Sequence, residues 1–321
     1  MTDLPGLIAH ADWSKDPRKR WVTIARREDR HYVVGPAQAV ESAATLLRDL
    51  RTQSPDGRIL VGFDFPIGLP AAYARLVGVD DFRRDLLHLG SGEWHRFFDV
   101  ATSFEEIDVH RPFYPYRPGG ARVAHLLERL ELQSADQLLR LCERACPDTR
   151  AAGALFWTLG AKQVGRAAIA GWQTVLLPAL RDARTRLGLW PFDGELLELM
   201  SANEVVVCET YPALAYPALG LPPAGRGWSK RKAGDRRAHG ATVLAFAQTR
   251  GFSLDAPARR QIQEGFAPHE RGEDAFDATM GLLFMLNCVS IQCSAMTALA
   301  PETLRVEGWI LGRDPPDEAA G

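Results

Sequence analysis

Hydrophobic residues in the first 70 positions fall into short runs separated by polar turns. Leu7 to Ala11, Trp21 to Ala25 and His31 to Val34 are three such runs, and Arg58 to Phe65 is a fourth with almost no polar interruption. Runs of this length, rich in Val, Ile and aromatic residues, predict β-strands, and the near-continuous apolarity of the fourth predicts burial on both faces. Pro66, Gly68 and Pro70 end it. Between the third and fourth strands, Ala43, Ala44, Leu46, Leu47 and Leu50 recur at helical spacing, predicting a helix over Glu41 to Arg51. Glu204 to Thr210 repeats the strand pattern and is ended by Tyr211-Pro212.

From 71 to about 203 the pattern is one of helices and loops. Ser91 before Glu93-Trp94 and Ser134-Ala135-Asp136-Gln137 read as helix starts, and Arg111 to Gly120 is too rich in Pro and Gly for a helix or a central strand. Glycines 153, 160, 165 and 171 with Pro178 divide Ala151 to Leu187 into short helical pieces. Ala238 to Thr249 and Phe276 to about Thr297 predict helices, Arg305 to Leu311 a last short strand, and Asp314 to Gly321 a frayed end. The order β-β-β-α-β, insertion, β-α-α predicts an α/β fold: a mixed sheet with helices on both faces, built from 1–70 and 204–321, carrying a helical insertion at 71–203 that selects substrate.

Ala278 to Ala300 contains no Asp, Glu, Lys or Arg and is long enough to span a membrane. Thr279, Asn287, Ser290, Gln292, Ser294 and Thr297 inside it would be costly facing lipid, so a helix packed on a sheet is expected and no membrane partner. Met1-Thr2-Asp3-Leu4-Pro5 lacks a basic region followed by an apolar stretch, and a cytoplasmic location is the expectation. The 321 residues are 46% hydrophobic and 24% charged, ordinary for a globular protein, and a net charge of −2 gives no global attraction to nucleic acid. Polyanion binding must then come from local basic patches. Cys142, Cys146, Cys208, Cys288 and Cys293 form no CxxC pair and are odd in number, which predicts reduced thiols.

The candidate chemistry lies where apolar runs meet carboxylates. Asp12 closes the first strand, Asp64 the fourth and Glu209 the last, while Asp274 and Asp277 share one face where a helix opens. Strand ends are where α/β sheets handle ligands. Taken singly each acid has an ordinary alternative: a turn for Asp12, a loop cap for Asp64, an ion pair for Glu209, and helix-dipole capping for the Asp274 and Asp277 pair. Taken together they predict one site. Two carboxylates about 4 Å apart repel by roughly 4 kcal/mol at an effective dielectric near 20, so convergence calls for a counter-ion, and magnesium or manganese suits oxygen ligands.

The order strand-end Asp, strand-end Asp, strand-end Glu, then D-x-x-D opening an apolar helix resembles the RNase H-like superfamily, particularly the RuvC-type resolvases. The phrases Ala11-Asp12-Trp13-Ser14, Val61-Gly62-Phe63-Asp64-Phe65-Pro66-Ile67-Gly68-Leu69-Pro70, Cys208-Glu209-Thr210-Tyr211-Pro212-Ala213, Glu273-Asp274-Ala275-Phe276-Asp277-Ala278 and Glu307-Gly308-Trp309-Ile310 are similar to the domain-of-unknown-function family four-two-nine, whose members are predicted RNase H-like nucleases. The resemblance covers about 7 to 70 and 204 to 311. It implies an RNase H-like sheet and a metal-dependent nuclease using two metal ions, with Asp12, Asp64, Glu209, Asp274 and Asp277 catalytic, and Asp12, Asp64, Glu209 and Asp277 holding Mg2+ or Mn2+. Replacing Asp12 or Asp277 by Asn is expected to abolish cleavage and leave stability equal or higher.

Nucleic acid is the expected partner. Arg226, Lys230, Arg231, Lys232, Arg236 and Arg237 crowd around Trp228, a basic loop suited to phosphates or simply to solvent. Arg111 and Arg117 flank Phe113, Tyr114 and Tyr116, which can stack bases or anchor their own loop. Lys162, Gln163 and Arg166 are weaker candidates, and His10, on the same strand face as Asp12, is read as a hydrogen-bonded core histidine. Two other functions compete: a catalytically silent nucleic-acid or protein-binding module, and a phosphotransferase of the actin and sugar-kinase type. The latter is disfavoured because Asp12-Trp13-Ser14-Lys15 lacks a glycine-rich turn.

Overall fold

A computed structural model describes residues 4–29, 31–145, 151–160, 164–223, 227–267, 271–291 and 299–315. Arg226, Lys162, Gln163, Cys146, Cys293, positions 292–297 and nearly all of the expected frayed end lie outside them. The chain divides into two compact units, one of 1–64, 182–295 and 310–312, the other of 65–181, 296–309 and 313–321.

The first unit is an α/β unit around a mixed sheet. Its strands are β1 (Leu7–Asp12), β2 (Trp21–Glu28), β3 (His31–Val34), β4 (Gln38–Ala39), β5 (Ile59–Phe63), β6 (Leu187–Leu189), β7 (Val205–Glu209) and β8 (Ser253–Leu254). They run in the order β6-β7-β5-β1-β2-β3-β8, with β4 beside β2. β2 is antiparallel to β1, β3 and β4, whereas β1, β5, β7 and β6 are mutually parallel. The parallel centre explains the composition of β5 and β7, whose residues are all buried.

Register sorts the side chains by face. His10 pairs with Thr23 across β2 and with Gly62 across β5, and Gly62 pairs with Cys208 across β7. Alternation therefore places Asp12 on the His10 face. Against it packs the long helix Arg271–Ile291, whose described side chains are almost all buried, as expected for a core helix. Thr23 and Thr279 hydroxyls hydrogen-bond at 3.1 Å across this contact. Gly281 allows the closest approach: a Cβ there would come within 2.3 Å of the His10 ring. Burial drives the His10 pKa down to about 3, with the Ala278 backbone acting in the opposite sense, so the imidazole is neutral, a core histidine whose ring nitrogens make no well-formed hydrogen bond among the described residues.

Several boundaries differ from the sequence expectation. The first helix spans Leu46–Gln53 rather than starting at Glu41; Leu46 and Leu50 are its buried face, and Thr45 precedes it with its hydroxyl on Asp49. Leu187–Leu189, read as part of the insertion, is the edge strand β6, and the helix Leu196–Ala202 also belongs to the first unit. Residues 301–306 are helical, and of the expected last strand only Ile310 bridges Glu209. The basic segment forms its own helix, Ala233–Ala238, ahead of Gly240–Thr249.

In the second unit the helical stretch Val164–Arg181 runs through Gly165, Gly171 and Pro178 without a break, with a π-helical turn at Trp172–Leu176, while Gly153 and Gly160 lie in the non-helical chain before it. The π turn accommodates Pro178, which lacks the N–H that the helical ladder needs. The fully buried Arg140 gives this unit a polar centre. It donates to the Ile67 carbonyl at 2.9 Å, the Glu307 carbonyl at 3.0 Å and Glu143 Oε1 at 3.0 Å. Glu307 in turn accepts from the Ala71 and Leu141 amides at 2.9 and 2.7 Å, so Arg140 and Glu143 are paired and the Glu307 carboxylate is hydrogen-bonded to backbone amides.

Candidate functional site

Asp12 and Asp64 meet at the ends of adjacent parallel strands. Ala11 aligns with Phe63, so the next residues, Asp12 and Asp64, leave the sheet side by side on the face covered by the long helix. Their carboxyl groups share a hydrogen bond, and the Trp13 amide donates to Asp64 Oδ1 at 2.5 Å. Trp13 itself is buried, edge-on to Phe63 at 5.4 Å, with the Arg20 guanidinium 4.4 Å over its ring, which fixes the turn that follows Asp12. The phrase Asp12-Trp13 is thus a carboxylate followed by its own anchor.

The helix supplies the other acids. Asp277 is buried and Asp274 and Glu273 are half-buried, one turn above it. Burial, together with the neighbouring charges of Asp64, Asp277 and Asp274, pushes the Asp12 pKa well above the usual carboxylate range. Burial raises Asp64 to about 7 against the lowering effect of its hydrogen bonds from Trp13 and Asp12. Asp274 is raised to about 6 by burial and by Glu273 and Asp277, with Lys19 and Lys230 acting in the opposite sense. Four of the five acids expected to form a site are therefore electrostatic neighbours.

Glu209 is placed differently. It aligns with Phe63, one residue short of the position level with Asp64, so alternation directs its side chain to the opposite face of the sheet. The residue of this strand end that lies level with Asp64 is Thr210. Thr210 is 2% exposed, and its hydroxyl has no hydrogen-bond partner among the described residues. The sequence alone does not single out Thr210, because its parity with Asp64 depends on the register of β7 against β5.

The basic loop is also not what its composition predicts. Lys230 Nζ bonds Asp277 Oδ2 and lies 3.2 Å from Glu273 Oε1, and Arg231 lies 3.4 Å from Glu273. The Tyr216 hydroxyl donates to the other oxygen of Asp277. Burial pulls the Lys230 ammonium pKa down, but Asp277, Tyr216 and Glu273 outweigh it and hold the group charged. Trp228 is buried against Tyr216, Phe276 and His239, with Nε1 donating to the Pro222 carbonyl at 3.0 Å, and so is a packing residue rather than a base-stacking platform. Arg236 is fully buried among backbone carbonyls. Of this group Arg231, Lys232 and Arg237 face solvent, Arg231 from beside Glu273.

In the second unit Arg111 is 7% exposed and paired with Glu106 at 3.1 Å, which makes it a structural residue and not a substrate contact. Tyr114 is buried beside His125, whereas Tyr116 and Arg117 are exposed, the former with Arg166 5.2 Å over its ring.

The donor set is one of carboxylate oxygens around a buried, strongly acidic point, and such a set fits a hard divalent cation. Among the described residues no three of these side chains already stand as a metal cage. Lys230 and Tyr216 occupy both oxygens of Asp277 instead. Compared with family models, with curated proteins and with solved structures, the chain matches none. Its site speaks only through its own chemistry.

Proposed function

We propose that the chain is a divalent-metal-dependent phosphodiester hydrolase, a nuclease of the RNase H-like kind. The observation that carries the reading is the convergence of Asp12, Asp64, Asp274 and Asp277, from two strand ends and a helix, on one buried face where each raises the charge burden of the others. Carboxylates crowded this way destabilise a fold unless a cation is part of the working state. Asp12, Asp64 and Asp277 would hold Mg2+ or Mn2+. When bound, such an ion supplies Lewis-acid stabilisation of charge developing on a phosphoryl group.

Asp274, half-buried and with a pKa near 6, is poised to accept a proton from water at neutral pH, which is the role of a general base. The Trp13 amide fixes the orientation of Asp64, and Tyr216 fixes that of Asp277. Arg231, Lys232 and Arg117, all exposed, are the expected substrate contacts that still face solvent. Lys230 on Asp277 favours a second reading, a catalytically silent binding module in which an internal ammonium has replaced the metal.

The test is a cleavage screen over single-stranded, duplex and branched nucleic acids in magnesium and in manganese, with Asp12→Asn as the control. Metal-dependent cleavage lost in Asp12→Asn supports the hydrolase. Polynucleotide binding with neither cleavage nor metal affinity supports the silent module, and cleavage undiminished in Asp12→Asn defeats the assignment.

A further inference from the structure

Lys230 does not reach the acidic site by chance of a flexible side chain. Its backbone is held from several sides. Arg236, fully buried, donates to the Lys230 carbonyl and also to the carbonyls of Gly265 at 2.9 Å and Ala267 at 2.7 Å. Asp235 accepts from the Ser229 amide at 2.8 Å, and the Lys232 amide closes the turn onto the Ser229 carbonyl at 2.9 Å. The long helix makes room for this clamp, because a Cβ on Gly272 would come within 2.3 Å of Arg236 Nη2. Burying a guanidinium to anchor one loop is costly unless the loop's position matters.

What that loop delivers is a single ammonium between Asp277 and Glu273, with Asp12, Asp64 and Asp274 within electrostatic reach. Arg231 at Glu273 and Lys19 near Asp274 add positive charge, but among the described residues Lys230 is the cation bonded to Asp277, and the five carboxylates are only partly neutralised. We propose that Lys230 is a built-in cation that competes with divalent metal for Asp277: it keeps the metal-free acids together and is displaced from Asp277 when an ion binds. The inference deepens the hydrolase reading and rests on it for the identity of the competing ligand.

Manganese binding measured by calorimetry on wild type, Lys230→Met and Lys230→Arg tests the competition. Lys230→Met should bind Mn2+ on the order of tenfold more tightly, the scale on which groups bonded to ligating side chains alter metal affinity. Lys230→Arg, which keeps the charge, should stay close to wild type, and the Lys230→Met protein in EDTA should melt at a lower temperature. A residue that merely scaffolds the site would move affinity the other way, so unchanged or weaker Mn2+ binding by Lys230→Met overturns the proposal.

In case Lys230→Met does not fold, acetic anhydride labelling of wild type reads the same event. The Lys230 amine should become more reactive as Mn2+ is added, and unchanged or reduced reactivity overturns the proposal. Mn2+ binding by Lys230→Met but not by wild type would uphold the competition while defeating the metal-dependent hydrolase. Binding by neither would defeat both.

Discussion

Replacing Asp64 by Asn isolates the electrostatic burden of the site. The amide oxygen of Asn can still accept from the Trp13 amide and its NH2 can donate to Asp12, so both hydrogen bonds survive and only the charge is lost. The native carboxyl has a pKa of about 7 against an ordinary 3.8. Between these values the folded protein binds more protons than the unfolded chain, and stability falls as pH rises through the interval. At 1.36 kcal/mol per pKa unit the full effect is about 4 kcal/mol, of which about 2–3 kcal/mol accumulates between about pH 5 and about pH 8.

Urea unfolding of wild type and Asp64→Asn in EDTA, followed at those two pH values, measures the difference directly. Asp64→Asn should be the more stable protein at the higher pH by a few kcal/mol, with the gap narrowing sharply at the lower. A gap that is the same at both, or an Asn variant less stable at both, refutes the claim that Asp64 is held against charge repulsion and burial.

Asp12→Asn should likewise stabilise the metal-free protein at neutral pH, because burial and three acidic neighbours oppose its charge. Asp277→Asn should instead cost about 2–4 kcal/mol, since it breaks a buried pair with Lys230 and weakens the bond from Tyr216, correcting the expectation that both substitutions behave alike; thermal melts of the two variants side by side decide it. Gly281→Ala drives a methyl group into the His10 ring and should lower stability by about 1–3 kcal/mol in urea unfolding, while an unchanged midpoint would contradict the packing of helix on sheet. Arg140→Ala leaves Glu143 buried without its cation and two carbonyls without donors, and should cost about 3–5 kcal/mol; a melt within a degree or two of wild type would contradict that network.

The strands were legible because burial on both faces forces unbroken apolar runs, as in β5 and β7, and an acid ending such a run stands out. The clustering of Asp12, Asp64, Asp274 and Asp277 followed from the same logic. Glu209 shows its limit: a strand-end acid declares its strand but not its face, which depends on a register that one residue reverses. Lys230 and Trp228 show another, since a basic run beside a tryptophan reads alike whether it faces solvent or folds back onto internal acids. β6, with three residues, is too short to separate from loop, and Arg140 drew no notice because its partners are mostly backbone carbonyls brought together by the fold.

The central claim is that a divalent ion belongs among Asp12, Asp64 and Asp277. Crystals grown with manganese and measured near the metal's absorption edge give an anomalous difference map that answers it. The account predicts a peak among those three side chains with Lys230 moved off Asp277, and a protein saturated with manganese that shows no peak there, or one elsewhere, contradicts it.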